Sequence, residues 1–209
     1  MLIHGLFQFF LKLGSEWVLW LLLALAVLVV GIILNRMRSL SAQEKVGARF
    51  WTDQLSAWVE GGKKPADLGK SVETWASQYP CVETRVLKSL VGGAEPHKRA
   101  SALLTSERLK LESFLGILGT LGNNAPFIGL FGTVIGIIRA FHDLGGGSGE
   151  GGSGGIQTVG VGLSEALVAT AVGLMVAIPA VFYFNYFNKK VKAVMTRVEG
   201  VAALITAEK

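Results

Sequence analysis

Residues 17–34, WVLWLLLALAVLVVGIIL, run for eighteen positions without a charge. That length suffices for one helical crossing of a bilayer's hydrocarbon core. In lipid every backbone N–H and C=O must be satisfied within protein, so such a run is constrained to be helix. Two later stretches repeat the constraint. Trp17 and Trp20 suit one membrane interface, and Asn35, Arg36 and Arg38 suit the other. Composition agrees: 51% of the 209 residues are hydrophobic and 17% are charged, against about 25% charged in soluble domains. The net charge of +5 gathers in blocks flanking the apolar runs. That placement points to a lipid bilayer and away from nucleic acid.

Lysine and arginine near the span ends set the orientation. Twelve lie on the side of the 36–112 segment and the tail, among them Arg36, Arg49, Lys110 and Lys190, against Lys12 and Arg139 on the other. The positive-inside rule then puts the N-terminus outside and the C-terminus in the cytoplasm. The expected organisation is an outer N-terminal segment (1–16), a first span (17–35), a cytoplasmic helical domain (36–112), a second span (113–140), an outer glycine-rich loop (141–157), a third span (158–187) and a cytoplasmic helical tail (188–209). The fold class is an all-α membrane protein, with three transmembrane helices, long cytoplasmic extensions and a small helical cytoplasmic domain.

Outside the spans little carries chemistry. Phe50, Trp51, Leu55, Trp58 and Val59 recur at helical spacing, and Gly61-Gly62 closes that segment. The phosphate-loop likeness of ADLGKS (66–71) fails because Lys64 stands where the first glycine is required. His4, His97 and His142 lie far apart, no metal-ligand spacing is present, and no nucleophile is paired with a base. The sequence predicts no metal, no cofactor and no enzyme. Cys81 is the single cysteine, so no intrachain disulfide forms. No basic n-region or small-residue cleavage site marks a signal peptide. GGGSGEGGSGG (145–155) has linker composition. In the tail, Val191, Val194, Val198, Val201 and Ile205 step by three and four, which predicts a continuing helix with a heptad seam.

The second and third spans are unlike the first, which is mainly aliphatic. Pro126 leaves the Gly122 carbonyl without its usual helical donor. Gly132 and Gly136 form a GxxxG pair that permits close helix approach. Opposite them, Ala166, Ala169, Gly173, Ala177 and Ala180 make a small-residue stripe. The two spans are therefore expected to pack tightly on protein. Glu165 is the only charged residue between Glu150 and Lys189. A carboxylate at a helix centre in hydrocarbon costs roughly 2.5–3.5 kcal/mol on insertion scales. Glu165 lies about 9 Å inside the outer end of its span, and a neutral carboxyl there is tolerated far better than a carboxylate. A glutamate snorkelling to the rim and a proton or ion site both satisfy these facts, with Thr170, Thr158 and Ser164 available to extend a polar path.

APFIGLFGTVIGI (125–137) and SEALVATAVGLMVAIPAV (164–181) together resemble the paired signatures of the MotA/TolQ/ExbB proton channel family, in its three-span ExbB/TolQ branch. The layout of the whole chain is similar as well. By that resemblance Thr133 matches the pore threonine, Glu165 the acidic residue and Thr170 the second polar threonine. It implies a bacterial inner-membrane homo-oligomer, a ring of five around a single-span ExbD/TolR-like partner. Proton flow there would drive work through a TonB-like or other periplasmic effector, with energising of outer-membrane transport as the first choice. A Tol-type envelope motor or a gliding motor of the same family is the alternative. A non-conducting membrane scaffold is the reading from another class, with Glu165 only bonding between helices. A secondary transporter is disfavoured, since no inverted repeat is visible and three spans are few. One departure is Val159-Gly160-Val161-Gly162 where the family has Ala-Pro-Gly. Glycines in that place are expected to loosen the start of the third helix, which a proline would preset.

Overall fold

The computed structural model describes residues 16–61, 68–91, 96–146 and 153–206. All of the elements among them are helical: α1 (Glu16–Phe50), a π-helical turn (Trp51–Leu55), α2 (Ser56–Glu60), α3 (Leu68–Gln78), α4 (Val82–Val91), α5 (Pro96–Glu112), α6 (Leu115–Gly146) and α7 (Ser153–Thr206). Three are long and apolar enough to cross a membrane, within Glu16–Leu55, Leu115–Gly145 and Val159–Ala203. The chain is thus an all-α membrane protein with three spans and a smaller helical region. Most of the N-terminal segment 1–16, including Lys12, lies outside the described residues.

The described chain divides into two compact units, one from Met1–Ile33 with Ile117–Phe184 and one from Leu34–Gly116 with Asn185–Lys209. In the first, α1 buries Val18, Leu22, Val29 and Ile33, a helical stripe, and exposes Trp20, Val27 and Val30 on its other side. Val18 and Leu22 pack with Ile135 of α6, flanked by Trp17, Ile128 and Val172. Trp17 and Phe131 meet edge to face at 6.2 Å. The mainly aliphatic first span is therefore partly covered by protein.

The packing of α6 on α7 is closer. A Cβ placed on Gly129 would lie 2.7 Å from the Ala169 carbonyl oxygen and 3.0 Å from Thr170 Cα. One on Gly173 would lie 2.7 Å from the Ala125 carbonyl oxygen and 3.1 Å from Gly129 Cα. One on Gly136 would lie 2.6 Å from Ala166 Cβ. The first two are approaches of backbone to backbone and the third of backbone to an alanine methyl, and none leaves room for a side chain larger than hydrogen. Pro126 and Pro179 both sit inside their helices without ending them.

The helical unit has its own core of Phe50, Leu55, Val72, Trp75, Cys81, Leu87 and Val201. Phe50 meets Trp75 edge to face at 5.7 Å. The π turn, which closes i→i+5 bonds, explains how Phe50 and Leu55 share this core while Trp51 between them is more exposed. Val191, Val194, Val198 and Val201 are all buried, so the seam of the tail faces neighbouring helices. Two ion pairs hold the tail: Lys190 to Glu44 at 2.6 Å and Arg197 to Glu83 at 3.1 Å. Glu83 is fully buried and lies against Gly47 of α1, where any Cβ would collide with its carboxylate. At the start of α4 the Thr84 hydroxyl donates to the Tyr79 carbonyl at 2.6 Å and to the Cys81 carbonyl at 3.1 Å. Burial pushes the Cys81 thiol up, leaving it inert.

Two local expectations meet a different outcome. Helix α6 continues to Gly146 and α7 begins at Ser153, so helix takes up both ends of the expected glycine-rich loop. Residues 147–152 lie outside the described residues. Gly160 and Gly162 do not loosen the third helix, which runs through them. Each residue added to an existing helix gains a hydrogen bond, and Gly162 is useful there because a Cβ would sit 3.0 Å from Ala140 Cβ.

The close approach generates a test. Gly173→Ala forces Cβ against backbone that cannot move aside, an overpacking expected to destabilise by about 1–3 kcal/mol. Gly31→Ala meets nothing within 4 Å and is expected to be neutral or to stabilise by up to about 1 kcal/mol through helix propensity. Thermal midpoints of the two variants in detergent check the contrast.

Candidate functional site

Helices α6 and α7 run antiparallel, and their contacts set the level of each polar group. Ala166 stands opposite Gly136, Ala169 opposite Gly132, and Thr170 opposite Gly129. Thr133 lies one helical turn from Gly129, about 6 Å along the axis. The helix pair thus brings Thr133 and Thr170 to neighbouring levels. Thr133 is buried, and its hydroxyl donates to the Leu130 carbonyl at 2.7 Å, one turn back on its own helix. Its oxygen lone pairs remain available as acceptors. Thr170 is half-buried, and its hydroxyl oxygen is shielded from solvent with no hydrogen-bond partner among the described residues.

Glu165 is placed differently. It precedes Ala166, which is fully buried, yet is itself exposed on the subunit. Five residues at about 100° each put Glu165 roughly 140° around α7 from Thr170 and about 7.5 Å further along the axis. Among the described residues no hydrogen bond or ion pair reaches the carboxylate, and Arg139 of α6 is exposed and makes no pair with it. The three candidates therefore do not form one closed pocket within a subunit. Two lie along the α6–α7 seam, and the carboxyl projects from the outside of the pair at the end nearer residues 146–153.

The helix-packing candidates lie on or beside the contact between α6 and α7. Gly132, Gly136 and Gly173 make the close contacts, while Ala169 and Ala177 are buried at 1% and 4% exposure. Pro126 is half-buried, one turn from Gly122, whose hypothetical Cβ would meet Val181 at 2.7 Å. Asn124 turns its amide back on its own helix and donates to the Thr120 carbonyl at 2.8 Å. Ser164 does the same with the Gly160 carbonyl at 2.9 Å. The side chain of Thr158 lies outside the described residues.

Gly129 is the residue the sequence reading missed. It makes the tightest approach to Thr170, and its signal was present: Gly122, Ala125, Gly129, Gly132 and Gly136 form a stripe at steps of three and four that mirrors the one on α7. The GxxxG pair at 132 and 136 is one part of that longer pattern. Among the described residues no three His, Cys, Asp or Glu side chains gather as metal ligands.

Comparison with known proteins gives this arrangement its context. Residues 81–200 match the MotA/TolQ/ExbB proton channel family. The chain is 34% identical over 182 residues to the Biopolymer transport protein ExbB of Xanthomonas campestris pv. campestris, covering 81% of this chain and 70% of that one. It is 32% identical over 193 residues to the Tol-Pal system protein TolQ of Haemophilus influenzae, covering 86% and 81%. Over 94 residues it is 40% identical to TolQ of Pseudomonas aeruginosa, covering 45% and 39%.

The unpartnered Thr170 hydroxyl yields a prediction free of any functional premise. Thr170→Val removes a buried polar group that has lost water without gaining a bond, so stability is expected to stay within about 1 kcal/mol or to rise. A thermal midpoint well below that of the parent would show that the hydroxyl is bonded in the folded protein.

Proposed function

The chain belongs to the MotA/TolQ/ExbB proton channel family, and from that premise we propose that it is an ExbB/TolQ-like subunit of an inner-membrane motor that turns proton flow into mechanical work. The observation that carries this reading is the exposed Glu165 carboxyl on a membrane helix, unpartnered among the described residues of its own subunit. Hydrocarbon does not accept such a group without a partner, and ionisable residues in spans face a bundle interior or water. Its natural surroundings are therefore other subunits, a partner helix, or an aqueous path between them. A ring of five copies around two single-span ExbD/TolR-like helices would supply those surroundings.

In this reading Glu165 takes up and releases the proton. Thr133 and Thr170 continue the polar lining along the α6–α7 seam, since a hydroxyl both donates and accepts. The rigid small-residue contact of α6 on α7 keeps these groups in register while the partner moves past them. Work on a TonB-like effector in outer-membrane transport is the first choice of output. A Tol-type motor is the second reading, favoured by the 32% identity to TolQ across 86% of this chain. The N-terminus is placed in the periplasm and the tail in the cytoplasm, in keeping with the basic residues Arg38, Lys45, Arg49, Lys189 and Lys192, all of them solvent-accessible.

Glu165→Gln keeps size and hydrogen bonding but cannot titrate. It is expected to assemble at normal yield and to lose proton-driven work down to background, while Glu165→Asp retains part. Growth or transport that depends on the proton gradient is the readout, with complex yield measured alongside. Wild-type work in the Gln variant would reduce Glu165 to a packing group. Orientation has its own test, because Cys81 is 1% exposed and gives little background. Asp143→Cys should react with an impermeant thiol reagent from the periplasmic side and Glu199→Cys should not. The opposite pattern would invert the topology.

A further inference from the structure

Between α5 and α6 the chain turns through Phe114, which has φ 62° and is the one non-glycine residue with positive φ among those described. A bulky residue in the left-handed region is a true outlier, and such conformations persist only where surrounding contacts over-determine them. Gly116, two residues later, has open space where its Cβ would be and no left-handed φ. The chain therefore makes its turn on a phenylalanine although a glycine stands close by.

Arg36 supplies the contacts that hold it. Its guanidinium donates through Nη2 to both the carbonyl and the hydroxyl of Ser113. It also lies over the Phe114 ring at 5.7 Å from the centroid. Arg36 is only 7% exposed and has no acidic partner among the described residues. Glu112, the nearest acid in sequence to the turn, is paired with Arg108 at 2.7 Å. The charge is instead met by the negative end of α5, where the last carbonyls are unsatisfied, and by the face of an aromatic ring. A planar fork with several donors is suited to gripping carbonyl, hydroxyl and ring together.

We propose that Arg36 is a positioning residue which, with Ser113 and Phe114, holds the α5–α6 joint in a strained left-handed state, and that this held strain is a working part of the proton-driven cycle. The inference rests on the motor reading above. Strain at a joint is useful where one element has to settle in either of two arrangements, and a residue relaxed in the left-handed region would remove the bias between them.

Phe114→Gly tests this, because glycine adopts positive φ without penalty. Phe114→Asn is the second variant, since asparagine also tolerates that region. Both are expected to assemble normally with a thermal midpoint equal to or above the parent's, and to lose proton-driven work by about fivefold or more. Arg36→Lys, which keeps the charge without the fork, should lose less than Arg36→Gln. A smaller loss in both Phe114 variants overturns the proposal, and so does a loss that comes with a lowered midpoint, which would make the joint purely structural. Glu165→Gln in the same assay separates the two readings. If it is inactive while Phe114→Gly works normally, only the joint falls. If Glu165→Gln is fully active, the motor reading falls and this inference falls with it.

Discussion

The contact between the backbones of α6 and α7 is the interaction on which the membrane unit depends. Lipid tails are as apolar as leucine, so hydrophobicity does not drive two spans together once both are inserted. Association comes instead from dispersion over closely matched surfaces, and each atom pair contributes only about 0.1–0.2 kcal/mol at optimal separation. Gly129 against Thr170 and Gly173 against Ala125 bring many such pairs into range at once. The consequence for function is geometric. Thr133 and Thr170 come to neighbouring levels because the glycines beside them let the helices meet, so packing residues and polar residues interleave along one seam.

Much of this was legible in the sequence, for reasons that differ by element. The three spans follow from uninterrupted apolar length, which hydrocarbon thickness makes decisive. The buried valine seam of the tail follows from steps of three and four, the period of a helix against its neighbours. Small residues at the same spacing predicted close packing of α6 and α7, and Gly129 belongs to the same stripe beyond the GxxxG pair. Other features left no local mark. Arg36 and Ser113 lie 77 positions apart, and Glu83 and Arg197 lie 114 apart, so only the folded chain reveals their pairing. The π turn at Trp51–Leu55 and the left-handed Phe114 were also hidden, since neither sits on a glycine or proline that would announce it.

The exposure of Glu165 is the point where sequence and single-subunit structure part. From sequence the residue lies inside a span, either as a glutamate snorkelling to the rim or as a proton or ion site. In the subunit it faces outward, while Ala166 beside it is packed against Gly136. Both statements hold if enclosure is completed by other chains. An apolar face with one acid on it is a poor surface for lipid and a suitable one for a second helix that brings water or a counter-group.

Three charged residues show how differently this chain treats a charge removed from water. Glu83 is fully buried, rests on Gly47 and is met by Arg197. Removing one member of such a pair strands the other, a loss of about 3–5 kcal/mol in typical buried pairs, so its role is to fix α4 against the tail and α1. Arg36 is buried too, but a helix end and a ring meet it rather than an acid, an arrangement that grips a turn more than it anchors a core. Glu165 has neither kind of compensation within the described subunit. A compensated charge is held in one state by its partner, and its protonation changes only when the structure opens. Of the three, only Glu165 is left without a partner among the described residues of its own subunit, and that is why the proposed proton role falls on it.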